Sequence, residues 1–185
     1  MQFLTIRETK EGWHEIRRLG GRRFYGPFRF RVALDPRVES FAVEAETVPN
    51  AMNFWAVREF LPDIAAGVAD GVDFSIRYGT RYCCIRLTVL DQKYHDVDTH
   101  SEGMRKEGSE FVTMTCDHYA TALDPLRPDW LTSDVVALAR GIDADKATDR
   151  FPILSDALRD AGCEDQLVHD HLQLCPDHGS SCWVV

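Results

Sequence analysis

The sequence of 185 residues lacks the long hydrophobic run and the leader segment that would direct a chain to a membrane. Its apolar stretches are short, such as residues 64–69, whereas a membrane-spanning helix needs about 20 apolar residues. The first residues, Met1–Glu8, reach charged side chains too early for a signal peptide. We therefore expect a cytoplasmic protein without a membrane partner, whose six cysteines are reduced.

The motifs of common catalytic and nucleotide-binding sites are also missing. The chain has no G-x-x-x-x-G-K-[ST] loop, no G-x-S-x-G elbow and no H-E-x-x-H helix. We therefore expect a protein that is not an enzyme and does not bind GTP. What is present is the composition of a folded globular chain, with 44% hydrophobic and 28% charged residues.

Charge is distributed unevenly along the chain. The formal net charge is -9, but residues 1–36 carry +4 and residues 37–185 carry -13. The most basic stretch, Arg17–Arg31, has six arginines and no acidic residue. This pattern excludes a uniformly basic nucleic-acid-binding protein, and it allows one basic surface on an acidic body.

Apolar periodicity predicts mixed strands and helices in the first two thirds of the chain. The predicted strands are Phe3–Thr9, Phe28–Leu34, Phe41–Val48 and Tyr82–Leu90, the last with Cys83 and Cys84 in mid-strand as core residues. Two helices are predicted, one with Pro62 in its first turn and one capped by Thr99 or Ser101 that continues to Tyr119.

The last third of the chain has a purely helical pattern. It follows a proline-bearing linker, Leu123–Asp129, and contains three short helices. The first can be capped by Thr132 or Ser133, and the second has Pro152 at its start and Gly162 at its end. We therefore predict an α+β fold in two domains, residues 1–123 and a small helical appendix of residues 130–185.

Four stretches of the first domain resemble domain IV of the translocase elongation factor G. They are Ile6-Arg7-Glu8-Thr9, Gly20-Gly21-Arg22-Arg23-Phe24-Tyr25-Gly26, Phe60-Leu61-Pro62-Asp63-Ile64-Ala65-Ala66-Gly67-Val68 and Tyr94-His95-Asp96-Val97-Asp98. Two departures stand out: Arg23 replaces the second glycine of the family's loop, which leaves the backbone less free, and Gln92 replaces a glycine.

The resemblance implies a β-α-β sandwich with a left-handed crossover, whose tip contacts the small ribosomal subunit. By position, the first tip loop corresponds to Arg18–Tyr25 and the second lies near Asp91–Thr99. We predict a non-catalytic module that binds the ribosome or structured RNA. The candidate RNA-binding residues are Arg17, Arg18, Gly20, Gly21, Arg22, Arg23, Phe24, Tyr25, Tyr94 and His95.

The residues alone leave other interpretations open. Arginines bind phosphates, and interleaved aromatic residues can stack on bases. The Arg17–Arg31 stretch can equally be a solvated strand face that pairs with the acidic body, or a surface for an acidic protein partner. The alternative function is a protein–protein interaction or scaffold module that kept the fold without ribosome binding.

Two histidine-rich segments could carry chemistry. The segment His95–His100 offers two imidazoles and two carboxylates, which suit a metal site or an acid–base pair, although the resemblance explains Tyr94–Asp98 without catalysis. We expect no cofactor.

In the appendix, zinc is conceivable at four candidate ligands, Cys163, His171, His178 and Cys182. The alternative is that Cys163 is a buried apolar residue and that the histidines are surface groups. The segments Ala161-Gly162-Cys163 and Cys182-Trp183-Val184-Val185 resemble a helical segment of unknown function that is appended to many bacterial proteins.

Overall fold

The computed structural model describes residues 1–15, 26–49, 51–96, 98–124, 126–176, 178 and 182–184. These residues form two compact units, one of Met1–Leu34 with Ser40–Ala122 and one of Asp35–Glu39 with Leu123–Val185. The second unit therefore includes a short segment from the first part of the chain. Strands and helices confirm the predicted α+β class, with two mixed sheets and C-terminal helices.

The first unit contains a small and a larger sheet. The small sheet has the order β5–β1–β7, with β1 at Gln2–Thr5, β5 at Thr80–Tyr82 and β7 at Thr121–Ala122. The larger sheet has the order β2–β3–β6–β4, with β2 at Lys10–His14, β3 at Phe28–Leu34, β4 at Phe41–Ala45 and β6 at Ile85–Gln92. In the larger sheet β3 is antiparallel to β2 and β6, whereas β4 is parallel to β6.

Helices of the first unit are α1 at Phe54–Arg77, α2 at Ser101–Glu110 and the short α3 at Asp117–Tyr119, with a π-helical segment at Phe111–Cys116. The core is one cluster of buried side chains from both sheets and these helices, including Ile6, Phe28, Phe30, Ile64, Leu87, Met104 and Phe111. Phe111 contacts the rings of Phe28 and Phe30, with centroids 5.6 and 5.0 Å away.

Several local predictions for the first unit are wrong. Strand β2 has no predicted counterpart, because it is polar and contains Gly12, and its pairing with β3 is what makes it a strand. Helix α1 begins at Phe54, so Pro62 lies inside it rather than in the first turn.

Two further corrections concern a strand end and a helix cap. Cys83 and Cys84 are buried as expected, but they separate β5 from β6, and Cys84 has a positive φ of 57° that breaks the strand. The cap of α2 is His100, whose side chain accepts a hydrogen bond from the backbone N–H of Gly103, instead of Thr99 or Ser101.

The second unit has three main helices, as predicted: α4 at Ser133–Asp145, α5 at Phe151–Asp160 and α6 at Gln166–Leu174. Thr132 caps α4 by accepting from the N–H of Val135, and Asp165 caps α6 by accepting from the N–H of Leu167. Their inward faces form a separate core that includes Val135, Ile142, Leu154, Leu158, Val168 and Leu172. Across the described ranges, none of the helices has the length and apolar character needed to cross a membrane.

Candidate nucleic-acid interface

Three connecting segments leave the larger sheet at the same end. The register pairs His14, the last residue of β2, with Phe28, the first of β3, and pairs Phe28 with Gln92, the last of β6. Strand β4 runs parallel to β6 and ends at Ala45 beside Val89. Segments 15–27, 46–53 and 93–100 therefore start or finish together, and we call this part of the first unit the loop end.

The carboxylate of Asp91 holds the loop end together. It accepts hydrogen bonds from the backbone N–H groups of Met52 and Asn53, both at 3.2 Å, and from that of Gln92 at 2.8 Å. Asp91 is buried, and it faces the start of α1, where a negative charge is favourable. The Asn53 amide donates to the carbonyl of Gln92 at 3.1 Å, so the end of β6 and the start of α1 are fixed to each other.

Exposed aromatic rings and cations lie together at the loop end. Trp55, with 51% of its surface exposed, packs edge-on against Tyr94 with ring centroids 4.7 Å apart. The Lys93 ammonium lies 5.1 Å from the ring of Trp13, which is 42% exposed. Such rings are suitable surfaces for stacking bases, and cations beside them suit phosphates.

The aromatic residues Trp13 and Trp55 are functional candidates that sequence reasoning missed. Neither belongs to a motif, and each is separated from Tyr94 by dozens of residues in the chain. The only local signal is that Trp55 opens an amphipathic helix at a position before the buried pair Ala56 and Val57. The pairing of Trp55 with Tyr94 depends on the fold.

The structure describes two of the predicted RNA-binding residues. Tyr94 is half-buried against Trp55, and His95 is exposed with its Nδ1 3.2 Å from the Asp98 carboxylate. The others, Arg17, Arg18, Gly20, Gly21, Arg22, Arg23, Phe24 and Tyr25, lie outside the described residues. The residues that flank them are described: His14 ends β2, and the backbone carbonyl of Pro27 accepts from the N–H of Lys93 at 2.9 Å.

Two arginines of the basic stretch are engaged in ion pairs on the sheet. Arg31 lies 2.6 Å from a carboxylate oxygen of Glu11 and 2.7 Å from one of Glu46, and the hydrogen bond with Glu11 raises the pKa of its guanidinium. Arg29 lies 3.5 Å from Glu11. For Arg29 and Arg31 the structure favours the interpretation of a solvated face that pairs with carboxylates.

The segment His95–His100 has structural roles in its described part. The Thr99 hydroxyl accepts from the backbone N–H of His95 at 2.9 Å, and His100 caps α2. Within the described residues, no group of potential metal ligands forms here. Neither a metal nor an acid–base pair is supported at this segment.

A buried histidine lies beneath the loop end. His14 Nδ1 is 2.7 Å from the Thr115 hydroxyl, and Nε2 is 3.4 Å from the Glu107 carboxylate. Its ring packs against Phe28 and Phe111. Burial penalises the charged imidazolium and lowers the pKa of His14 to about 4, while Glu107 opposes this shift.

In the second unit, the structure brings together three of the four zinc candidates. The ligand atoms of His171, His178 and Cys182 all lie within 4.8 Å of one another. Cys163 does not belong to this group. It is buried in the core with Leu158 and Val168, burial raises the pKa of its thiol, and its carbonyl lies 2.9 Å from His169 Nε2.

Comparisons with known proteins show a partial relationship. No family model matches the chain. A crystal structure from Thermus thermophilus superimposes with a TM-score of 0.48 at 17% identity, over 66% of this chain and 18% of that one, a likeness that carries no argument.

The sequence match is more informative. The chain is 33% identical over 84 residues to elongation factor G of Petrotoga mobilis (strain DSM 10674 / SJ95), which is 45% of this chain and 12% of that protein. The chain therefore spans only a small part of the length of this curated relative. It has partial, distant similarity to a region of elongation factor G.

Proposed function

We propose that the first unit is a non-catalytic module that binds structured RNA, with the small ribosomal subunit as its target, and that it corresponds to domain IV of elongation factor G. The observation that carries this proposal is the loop end. There the flanks of the arginine-rich segment 16–25 meet the segment that carries Tyr94 and His95, beside two exposed tryptophans.

Similarity to elongation factor G supports the same assignment. The four motifs follow one another in the family's order, and the second and fourth belong to segments that converge at the loop end. The left-handed crossover expected of domain IV is part of this proposal. These residues contain no phosphate-binding loop, so the proposal covers contact with RNA and excludes GTP-driven translocation by this segment.

Electrostatics restrict the contact to one surface. The chain carries a net charge of -9, and residues 37–185 are strongly acidic, so most of the molecule repels phosphates. Arg17, Arg18, Arg22 and Arg23 form the densest positive group in the sequence. RNA would therefore approach with its phosphates toward segment 16–25 and its exposed bases toward Trp55 and Tyr94.

We expect the triple variant Arg18→Glu, Arg22→Glu, Arg23→Glu to lose affinity for small ribosomal subunits. If each arginine neutralises one phosphate, the wild type should show a log–log salt slope of roughly -2 to -3, which the variant should not show. Co-sedimentation across a salt series measures both. The matched control reverses Arg127, Arg140 and Arg159, exposed residues of the second unit, and should retain the wild-type slope.

Equal binding by the wild type and the loop variant would show that segment 16–25 is not the contact. Absence of binding by the wild type at about 50 mM salt, where phosphate contacts are strong, would reject RNA as the target. That outcome would favour the scaffold alternative, to which exposed Trp13 and Trp55 are also suited because exposed apolar patches commonly bind proteins.

A second test concerns Trp55. We expect Trp55→Ala to weaken binding to a single-stranded ribosomal RNA fragment by about tenfold to hundredfold, since stacking of a base on an aromatic ring contributes about 1–3 kcal/mol. The control is Phe74→Ala, which removes a ring that is 47% exposed near the opposite end of α1. Fluorescence anisotropy measures both, and equal losses would rule out a specific stacking role for Trp55.

A further inference from the structure

We propose that the second unit binds one Zn²⁺ ion through His171 Nε2, His178 Nδ1 and Cys182 Sγ. This inference is independent of RNA binding, because every residue it uses belongs to the second unit. His171 lies on helix α6, whereas His178 and Cys182 lie in the chain that follows this helix.

The spacing of the three ligand atoms agrees with a tetrahedral site. Cys182 Sγ lies 3.4 Å from His171 Nε2 and 3.6 Å from His178 Nδ1. With Zn–N bonds of about 2.0–2.1 Å and Zn–S bonds of about 2.3 Å, two ligands of one tetrahedral ion are about 3.3–3.8 Å apart. Both distances to sulfur fall in that range, so the side chains need little movement to bind one ion.

A hydrogen bond to the backbone orients the first imidazole. His171 Nδ1 is 3.0 Å from the carbonyl oxygen of Pro36. A carbonyl oxygen can only accept, so Nδ1 carries the proton and Nε2 presents its lone pair to Cys182 Sγ. Ligating histidines usually have this arrangement, because the outer hydrogen bond fixes the tautomer and the ring orientation.

Without an ion, the cluster is poorly satisfied. The thiol of Cys182 has one proton and is a weak donor, so it can serve only one of the two ring nitrogens beside it. A metal ion would bind all three atoms at once. Cys182 is only 8% exposed, and a buried polar group without a good partner is costly.

Aromatic rings enclose the cluster. Phe151 stacks on His178 with ring centroids 3.7 Å apart, and Trp183 lies 5.5 Å from His171. These rings hold both imidazoles in place and reduce water access. A ligand set of two imidazoles and one thiolate favours Zn²⁺ over the hard ions Mg²⁺ and Ca²⁺, and a metal would strengthen a unit with a small core.

The coordination differs from the four-residue set that the sequence indicates. Cys163 is a core residue, so the fourth position of a tetrahedral ion would be occupied by a ligand outside this set, such as water. The difference makes Cys163 a useful control, because a site defined by sequence spacing would need it and the site defined by geometry does not.

Cobalt(II) titration of the full-length protein tests the site. We expect one equivalent of Co²⁺ to produce a thiolate-to-cobalt charge-transfer band in the wild type, and elemental analysis to find about one zinc per chain. Cys182→Ser should abolish the band and reduce the zinc content to near zero. Cys163→Ser should retain both. His178→Gln, at a half-buried position, should weaken cobalt binding at least about tenfold.

Several results would overturn the proposal. A wild type that binds neither zinc nor cobalt, or that binds cobalt without the charge-transfer band, has no thiolate site. Loss of the band in Cys163→Ser with retention in Cys182→Ser would place the site elsewhere. If Cys182→Ser fails to fold by circular dichroism, His178→Gln decides, and unchanged cobalt affinity in that variant contradicts the proposal.

Discussion

Replacing Gly67 with alanine should lower the free energy of unfolding of the first unit by at least about 3 kcal/mol, the upper end of the usual cost of overpacking. A Cβ atom at Gly67 would stand 1.8 Å from the backbone carbonyl oxygen of Arg105. The contact is reciprocal, because a Cβ at Gly108 would stand 2.3 Å from the carbonyl oxygen of Ile64. Backbone atoms cannot rotate away, so α1 and α2 would have to separate.

A matched control is Gly141→Ala, in the interior of helix α4. A Cβ at Gly141 meets no atom within 4 Å, so alanine should stabilise the second unit by about 0.5–1 kcal/mol through its higher helix propensity. Hydrogen exchange of peptides from β3 and β6, followed by mass spectrometry, reports the first unit alone. A change below about 0.5 kcal/mol in Gly67→Ala would show that the two helices do not approach closely at this point.

Acidification should destabilise the first unit through His14. Burial lowers the pKa of His14 in the folded chain to about 4 from an ordinary value of 6.5. Between these two values the unfolded chain binds a proton that the folded chain excludes. The stabilisation is therefore fully present above pH 6.5 and is lost as the pH falls toward 4, with a total of roughly 3 kcal/mol.

The variant His14→Gln isolates this contribution, since glutamine does not titrate. We expect protection of β3 and β6 amides to fall more steeply between pH 6.5 and 4.5 in the wild type than in the variant, after correction for intrinsic exchange. Following these strands separates His14 from His171 and His178, which belong to the second unit and whose pKa values burial also lowers. Parallel pH profiles would assign the acid sensitivity to other groups.

Local patterns are sufficient for parts of this fold. The alternation in Phe28–Leu34 predicts β3 with the bounds that it has in the structure, because one side of a central strand is buried and its pleat repeats every two residues. Thr132 at the start of α4 and the placement of Pro152 and Gly162 around α5 are similarly local signals. Capping and proline geometry act within one helical turn, so they can be read without the partner elements.

Other elements depend on their neighbours. Strand β2 has few apolar residues, and only its five-residue pairing with β3 makes it a strand. Helix α1 includes Pro62 because packing against α2 and the sheets outweighs the loss of one backbone hydrogen bond. Sequence periodicity contains no information on these pairings, since it does not record which segment lies opposite.

By itself the sequence determined the α+β class, the helical C-terminal third, the uneven charge and the residue types available for binding RNA or zinc. Only the tertiary structure decided which of those residues meet. It paired Trp55 with Tyr94, neutralised Arg31 with Glu11 and Glu46, and placed Cys182 between two histidines while leaving Cys163 in the core. The reason is physical: propensity and capping act over a few neighbouring residues, whereas distances between remote side chains are set by the packing of whole elements.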